Sequence, residues 1–89
     1  MYKHTAELIN ATGLHARPAS DFVKLAKTFK SKISICRAGE DGGVNAKSIV
    51  MLLSQGFACG TVVEITAEGE DEEAAGKALA ELIASGFGE

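Results

Sequence analysis

Between Tyr2 and Ile9 the chain alternates, with Tyr2, His4, Ala6 and Leu8 on one side and Lys3, Thr5 and Glu7 on the other. A period of two marks a strand with one buried face. From Arg17 to Phe29 the period changes. Ala19, Phe22, Val23, Ala26 and Phe29 follow i, i+3, i+4 spacing and predict an amphipathic helix. Lys24, Lys27 and Lys30 gather on its other side and towards its C-terminal end, where cations suit the helix dipole. Lys32 to Arg37 predicts a second strand, with Ile33 and Ile35 on one face. The glycine-rich stretch 38–43 reads as a turn, and a short third strand follows near Gly43 to Asn45. Lys47 to Ser54 predicts a short apolar helix closed by Gln55 and Gly56. Thr61 to Ala67 alternates again, with Val63, Ile65 and Ala67 together.

The last helix is expected to begin after Gly69. Glu70, Asp71, Glu72 and Glu73 would fill its first turn and complement the positive end of the dipole. Ala75, Ala78, Leu79, Leu82 and Ile83 form its apolar stripe. Glu73 and Lys77 make a favourable i, i+4 pair, and Gly86 suits the C-cap. The order β-α-β-β-α-β-α predicts an α+β fold in two layers: a four-stranded, mostly antiparallel sheet with the helices packed on one face. No repeat, linker or low-complexity segment interrupts it.

Composition narrows the function. The 89 residues, 9.2 kDa, fold to about 4,900 Å² of surface. That is one core and one domain, residues 1–89, with little room for a deep cavity. A net charge of −3 disfavours a globally cationic nucleic-acid binder. The N-terminal residues lack a signal-peptide core and no apolar run could span a membrane, so a cytoplasmic protein is expected. Cys36 and Cys59 are then expected as reduced thiols. With His4 and His15 they form no recognised metal spacing. No nucleotide fingerprint occurs, and neither metal nor cofactor is expected.

The candidate chemistry lies in Thr12-Gly13-Leu14-His15-Ala16-Arg17-Pro18-Ala19. Pro18 suits the first turn of a helix, where its missing N–H has no internal acceptor to lose. His15 then stands at or just before the helix start, and Gly13 permits a tight turn into it. Free N–H groups and the positive dipole end make an anion site there. Arg17 adds a forked cation suited to phosphate. A positive setting favours the neutral imidazole, whose lone pair can act as a nucleophile. A phosphoryl group on His15 would then lie beside the N–H groups and Arg17. Helix-start logic alone favours a plainer reading, with His15 as a cap and Arg17 as a solvated charge. His4, on a strand with no charged cluster, reads as ordinary packing or exposure.

A second segment, Asn45-Ala46-Lys47-Ser48-Ile49, opens the short helix, with Asn45 or Ser48 as its cap. If Leu52 faces the core, then Ile49, Val50 and Leu53 are partly exposed as a small docking patch. A fully buried helix capped by a serine fits the sequence as well.

Gly13-Leu14-His15-Ala16-Arg17-Pro18-Ala19 resembles the active-site signature of the HPr family, the histidine-containing phosphocarriers of the bacterial phosphoenolpyruvate:sugar phosphotransferase system. Asn45 to Ile49 resembles that family's regulatory serine segment. Thr61 to Glu73 and the closing helix are also similar, so the likeness covers nearly the whole chain. It implies an open-faced β-sandwich and a monomeric carrier rather than an enzyme. His15 would accept phosphate at its pros nitrogen, Nδ1, from phosphorylated enzyme I and pass it to the IIA domains of sugar permeases. Arg17 would hold the phosphate, and Thr12, Ala16 and Pro18 would support the helix terminus. Ile49, Val50 and Leu53, with nearby Phe22 or Lys24, would dock both partners.

The resemblance also implies a role for Ser48 in carbon catabolite repression, through an HPr kinase/phosphorylase and a catabolite-control transcription factor. A regulatory paralogue, acting mainly through phospho-Ser48 as a corepressor, is the alternative. The closing residues Gly86 to Glu89 weakly resemble the Gram-positive branch. Two features depart from the family pattern: a slightly longer loop from Arg37 to Val44, and an acid at Asp21 near the docking face.

Overall fold

The structure is a computed structural model that describes residues 1–40 and 42–88. Its elements are β1 (Tyr2–Glu7), α1 (Ala16–Lys27), β2 (Lys32–Arg37), β3 (Val44–Asn45), α2 (Ile49–Ser54), β4 (Val62–Glu68) and α3 (Glu72–Ala84), with a 3-10 turn at Gly86–Gly88. The expected order and α+β class are therefore present. Asp41 in the expected turn and Glu89 in the tail lie outside the described residues.

The four strands form one antiparallel sheet in the order β1-β4-β2-β3. β2 and β3 pair directly, whereas β1 and β2, joined through α1, and β3 and β4, joined through α2, are not neighbours in the sheet. Directly paired residues share a face. Val63 pairs with Ala6, and Ile65 lies between His4 and Ile35. Ala67 pairs with Ile33. These residues face the helices. Lys3, Thr66 and Ser34 line up on the other side, which no helix covers.

The core lies between sheet and helices. Leu8, Leu14, Phe22, Leu52, Phe57 and Leu79 are all 0% exposed. Three of the five residues expected on the α3 stripe, Ala75, Leu79 and Ile83, are buried. Ala78 and Leu82 are half-buried, while Gly76 and Ala80 join the core. The glycine has a packing reason. A Cβ at Gly76 would sit 2.0 Å from the Tyr2 ring, so its absence lets α3 close onto β1. That contact offsets the ~1 kcal/mol by which glycine weakens a helix interior. The exposed surface is 4770 Å².

The acidic run differs from expectation. Glu72 and Glu73 do occupy the first turn of α3, but Glu70 and Asp71 precede it. Asp71 is the N-cap, with a non-helical ψ of 25°. Its carboxylate turns away from the helix and accepts bonds from the N–H groups of Lys30 and Ser31, both at 2.9 Å, and from the Ser31 hydroxyl. These bonds tie the α1–β2 connection to α3. They hold the Asp71 carboxyl below its ordinary value of 3.8, with the Ser31 hydroxyl as the largest cause. Glu73 and Lys77 pair at 2.8 Å as expected, on a fully solvated face. Gly86 follows the α3 cap with φ 69°, the left-handed turn expected of it.

Candidate functional site

Asn10 organises the loop that leads to His15. It is 3% exposed. Its Nδ2 donates 2.8 Å to the Gly13 carbonyl and 3.3 Å to the Thr12 hydroxyl, while its backbone carbonyl accepts from the Gly13 N–H. Gly13 then turns with φ +64°, and the Leu14 N–H donates 2.9 Å to the Phe57 carbonyl. Leu14, at 0% exposure, anchors the loop in the core. The next residue, His15, is left exposed at the surface.

His15 is the N-cap of α1, in extended backbone, and its side chain makes no capping bond. Pro18 lies in the first turn and is buried. No acid occupies that turn. The free N–H groups and positive dipole end therefore have neither a side-chain cap nor a neutralising carboxylate within the turn. Ala16 enters the helix with φ +49°, a left-handed conformation that costs a non-glycine residue about 1–2 kcal/mol. The loop and the helix thus present an imidazole, open backbone donors and the exposed guanidinium of Arg17 within three residues. Such a group can offer a nucleophilic nitrogen and receive an anion on it.

Arg17 also borders a shallow depression of about 370 Å³ with Pro18, Asp21, Phe87 and Gly88. Asp21 is half-buried there, and among the described residues it forms no ion pair with Arg17. Thr12 is exposed in the loop.

The second candidate segment opens α2, which packs against α1. Ser48, rather than Asn45, is its cap. The Ser48 hydroxyl accepts from the Met51 N–H at 3.3 Å, and Asn45 Oδ1 accepts instead from the Lys47 N–H at 2.9 Å. Leu52 is fully buried, while Ile49, Val50 and Leu53 are 37%, 73% and 42% exposed. Lys24 is exposed on α1. Phe22 must be removed from the patch. It is 0% exposed and packs in the core, as its place on the apolar stripe of α1 requires. Met51, also exposed, belongs with the patch and was not expected there.

The sequence reading missed Asn10 and Phe57, which set the His15 loop. Asn10 lies in a stretch legible as a turn, but its inward side chain carries no separate signal. Phe57 acts through its backbone carbonyl, which any residue could supply. His4 is half-buried on β1 opposite Ile65. Cys36 and Cys59 are not joined in a disulfide. No group of three or more potential metal ligands occurs among the described residues. Nor is any described helix long and apolar enough to cross a membrane.

Comparison with known proteins identifies the family. Residues 2–85 match the family model for the PTS HPr component phosphorylation site. The phosphocarrier protein HPr of Neisseria meningitidis is 43% identical over 89 residues, covering 100% of this chain and 98% of that protein. A multiphosphoryl transfer protein of Vibrio cholerae is 43% identical over 97% of this chain and 22% of its own length. The crystal structure of an HPr from Thermoanaerobacter tengcongensis has a TM-score of 0.94 at 50% identity, covering 100% of this chain and 98% of that one. On the family match, the full-length relatives and the shared fold, this chain belongs to the HPr family, the phosphocarrier proteins of the phosphotransferase system.

Proposed function

We propose that this phosphocarrier relays a phosphoryl group through His15, from phosphorylated enzyme I to sugar-specific IIA domains. One observation carries the reading: His15 caps α1 without spending its side chain on the cap, and stands exposed two residues from Arg17. In the transfer, the Nδ1 lone pair forms a new N–P bond as the bond from phosphorus to the donor breaks, and the donor keeps that electron pair. The new phosphate oxygens accept from the open N–H groups of the α1 first turn and from Arg17. Neither step calls for a metal or cofactor held by this chain. Ile49, Val50 and Leu53, with Lys24 on the adjoining α1, form the surface on which both partners sit. Its exposed apolar side chains support that role.

Ser48 adds regulation to the same surface. Phosphorylation by an HPr kinase/phosphorylase would set a dianion next to Ile49, at the edge of the apolar patch. Enzyme I would then dock less readily, and a catabolite-control transcription factor would have a charged surface to recognise.

Incubation with phosphoenolpyruvate and enzyme I should place one acid-labile, alkali-stable phosphate on the protein, and a IIA domain should remove it. His15→Ala should accept none. Stoichiometric acceptance by that variant would sink the proposal. Acceptance with no transfer to any IIA domain would instead favour a regulatory paralogue working through phospho-Ser48.

A further inference from the structure

The uncovered face of the sheet is not flat. Where α1 ends and β2 begins, a groove of about 500 Å³ is lined by Lys30, Lys32, Lys47, Ser34, Asn45 and Thr66, with Met1 and Ile33 adding apolar surface. Strand pairing places three polar side chains along it: Ser34 lies between Thr66 on β4 and Asn45 on β3, in one row of the sheet. The three ammonium groups face a single lining carboxylate, Glu68, in a chain whose overall charge is −3. None of these lysines forms an ion pair among the described residues. Of two further acids nearby, Glu72 is paired with the amino group of Met1, and Asp71 accepts from the backbone N–H groups of Lys30 and Ser31, which leave its charge in place.

Part of the groove is already ordered. Lys47 Nζ donates 2.7 Å to the Phe29 carbonyl at the end of α1, leaving two of its three N–H donors. Asn45 Oδ1 is occupied by the Lys47 N–H, so its amide NH₂ is the group left to donate. The volume exceeds a bare phosphate and falls among small organic ligands, roughly 300–1,000 Å³. A dianion answers the excess of cations, and Ser34, Thr66 and Asn45 suit hydroxyl groups. No aromatic side chain lines the groove among the described residues, so a nucleobase would find nothing on which to stack.

We propose that this groove binds a small, hydroxyl-bearing phosphate monoester that lacks an aromatic base. It lies at the opposite end of the 12-residue α1 from His15, about 18 Å along the helix. A ligand there leaves His15 itself open.

The test is an NMR titration of the ¹⁵N-labelled protein with ribose 5-phosphate at low salt. The amide signals of Ser34, Asn45 and Thr66 should move and saturate by about 10 mM, a weak small-ligand affinity, while those of Ala16 and Arg17 stay in place. Lys32→Gln should weaken binding about fivefold through loss of one ammonium–phosphate contact. Lys27→Gln, on α1 outside the groove, should leave it unchanged. Ribose without phosphate should not bind. An absent or unsaturable response, an unchanged affinity in Lys32→Gln, or shifts centred on Arg17 would overturn the site. Equal affinity for inorganic phosphate would overturn the ester assignment, and tighter binding of AMP would overturn the exclusion of an aromatic base.

Discussion

Replacing Gly13 by alanine puts a methyl group where the protein has backbone. An ideal Cβ there would lie 2.4 Å from the Phe57 carbonyl oxygen and 2.8 Å from two backbone atoms of Ala58. The φ of +64° is itself strained for alanine, by about 1–2 kcal/mol. Relieving the clash means moving one of two backbone segments, an overpacking cost of roughly 1–3 kcal/mol. Movement also loosens the Leu14 N–H to Phe57 carbonyl bond, worth about 1 kcal/mol. The stiffer unfolded chain of alanine returns only about 0.4–1 kcal/mol. The net loss is therefore about 2–6 kcal/mol, a large part of the roughly 5–15 kcal/mol that holds a domain together. Urea melts followed by circular dichroism should show it as a lower midpoint with an unchanged slope. The melting temperature should fall by at least about 8 °C. Under conditions where the variant is folded, its phosphate uptake should also fall, because the displaced segment carries His15. A loss below about 1 kcal/mol would refute the claim that this close approach fixes the loop.

Asp71→Asn should destabilise the protein at neutral pH by weakening its ties to Lys30 and Ser31. The folded carboxyl lies below its ordinary 3.8, so its contribution is full above that value and is lost as pH falls through the lower folded value. The gap between wild type and variant in urea melts should thus close below about pH 4; a pH-independent gap would contradict this. Val50→Ser and Leu53→Ser should each change stability little, by about 0.5 kcal/mol at the more exposed Val50. Together they should slow phosphoryl exchange with enzyme I about tenfold, as loss of interface anchors does; unchanged exchange would remove the patch from docking. Ala16→Gly should be neutral or stabilising by up to about 1 kcal/mol, since relief at φ +49° outweighs the added freedom of the unfolded chain. A loss above about 1 kcal/mol in the same melts would contradict strain at that residue.

Periodicity made most of the fold legible. β2 and the start of the α1 stripe follow from Ile33, Ile35, Ala19 and Phe22, because burial on one face leaves a repeating trace in sequence. Pro18 located the start of α1 to within two residues. What periodicity lacked was anything decided by a single long-range bond. Asp71 reads as a first-turn acid from its neighbours, yet it leaves the helix because Lys30 and Ser31, about forty residues away, offer it three donors. The Phe57 carbonyl beneath Gly13 is silent in sequence for the same reason. Phe22 shows the converse: periodicity buried it correctly, while the family likeness had suggested the surface.

The start of α1 breaks two local rules at adjacent residues. A histidine occupies the cap without using its side chain, where a serine or aspartate would contribute about 1 kcal/mol. An alanine then adopts a left-handed backbone that a glycine would take without strain. Neither choice helps the fold, and the remainder of α1 is regular, with a well-buried stripe and cations in its last turn. Within α1 the inconsistency is confined to these two residues, and on the proposed reading it is what the site costs a small domain. A self-sufficient cap would satisfy the N–H groups and leave no donor for an incoming anion. On the proposed reading the phosphoryl group itself completes the helix start. The phosphorylated form should gain helix-terminal hydrogen bonds, and those bonds must be given up again when the group moves to a IIA domain. A modest, surface-exposed set of donors suits that reversibility better than a deep pocket, because exposed charge-assisted contacts hold the anion without committing it.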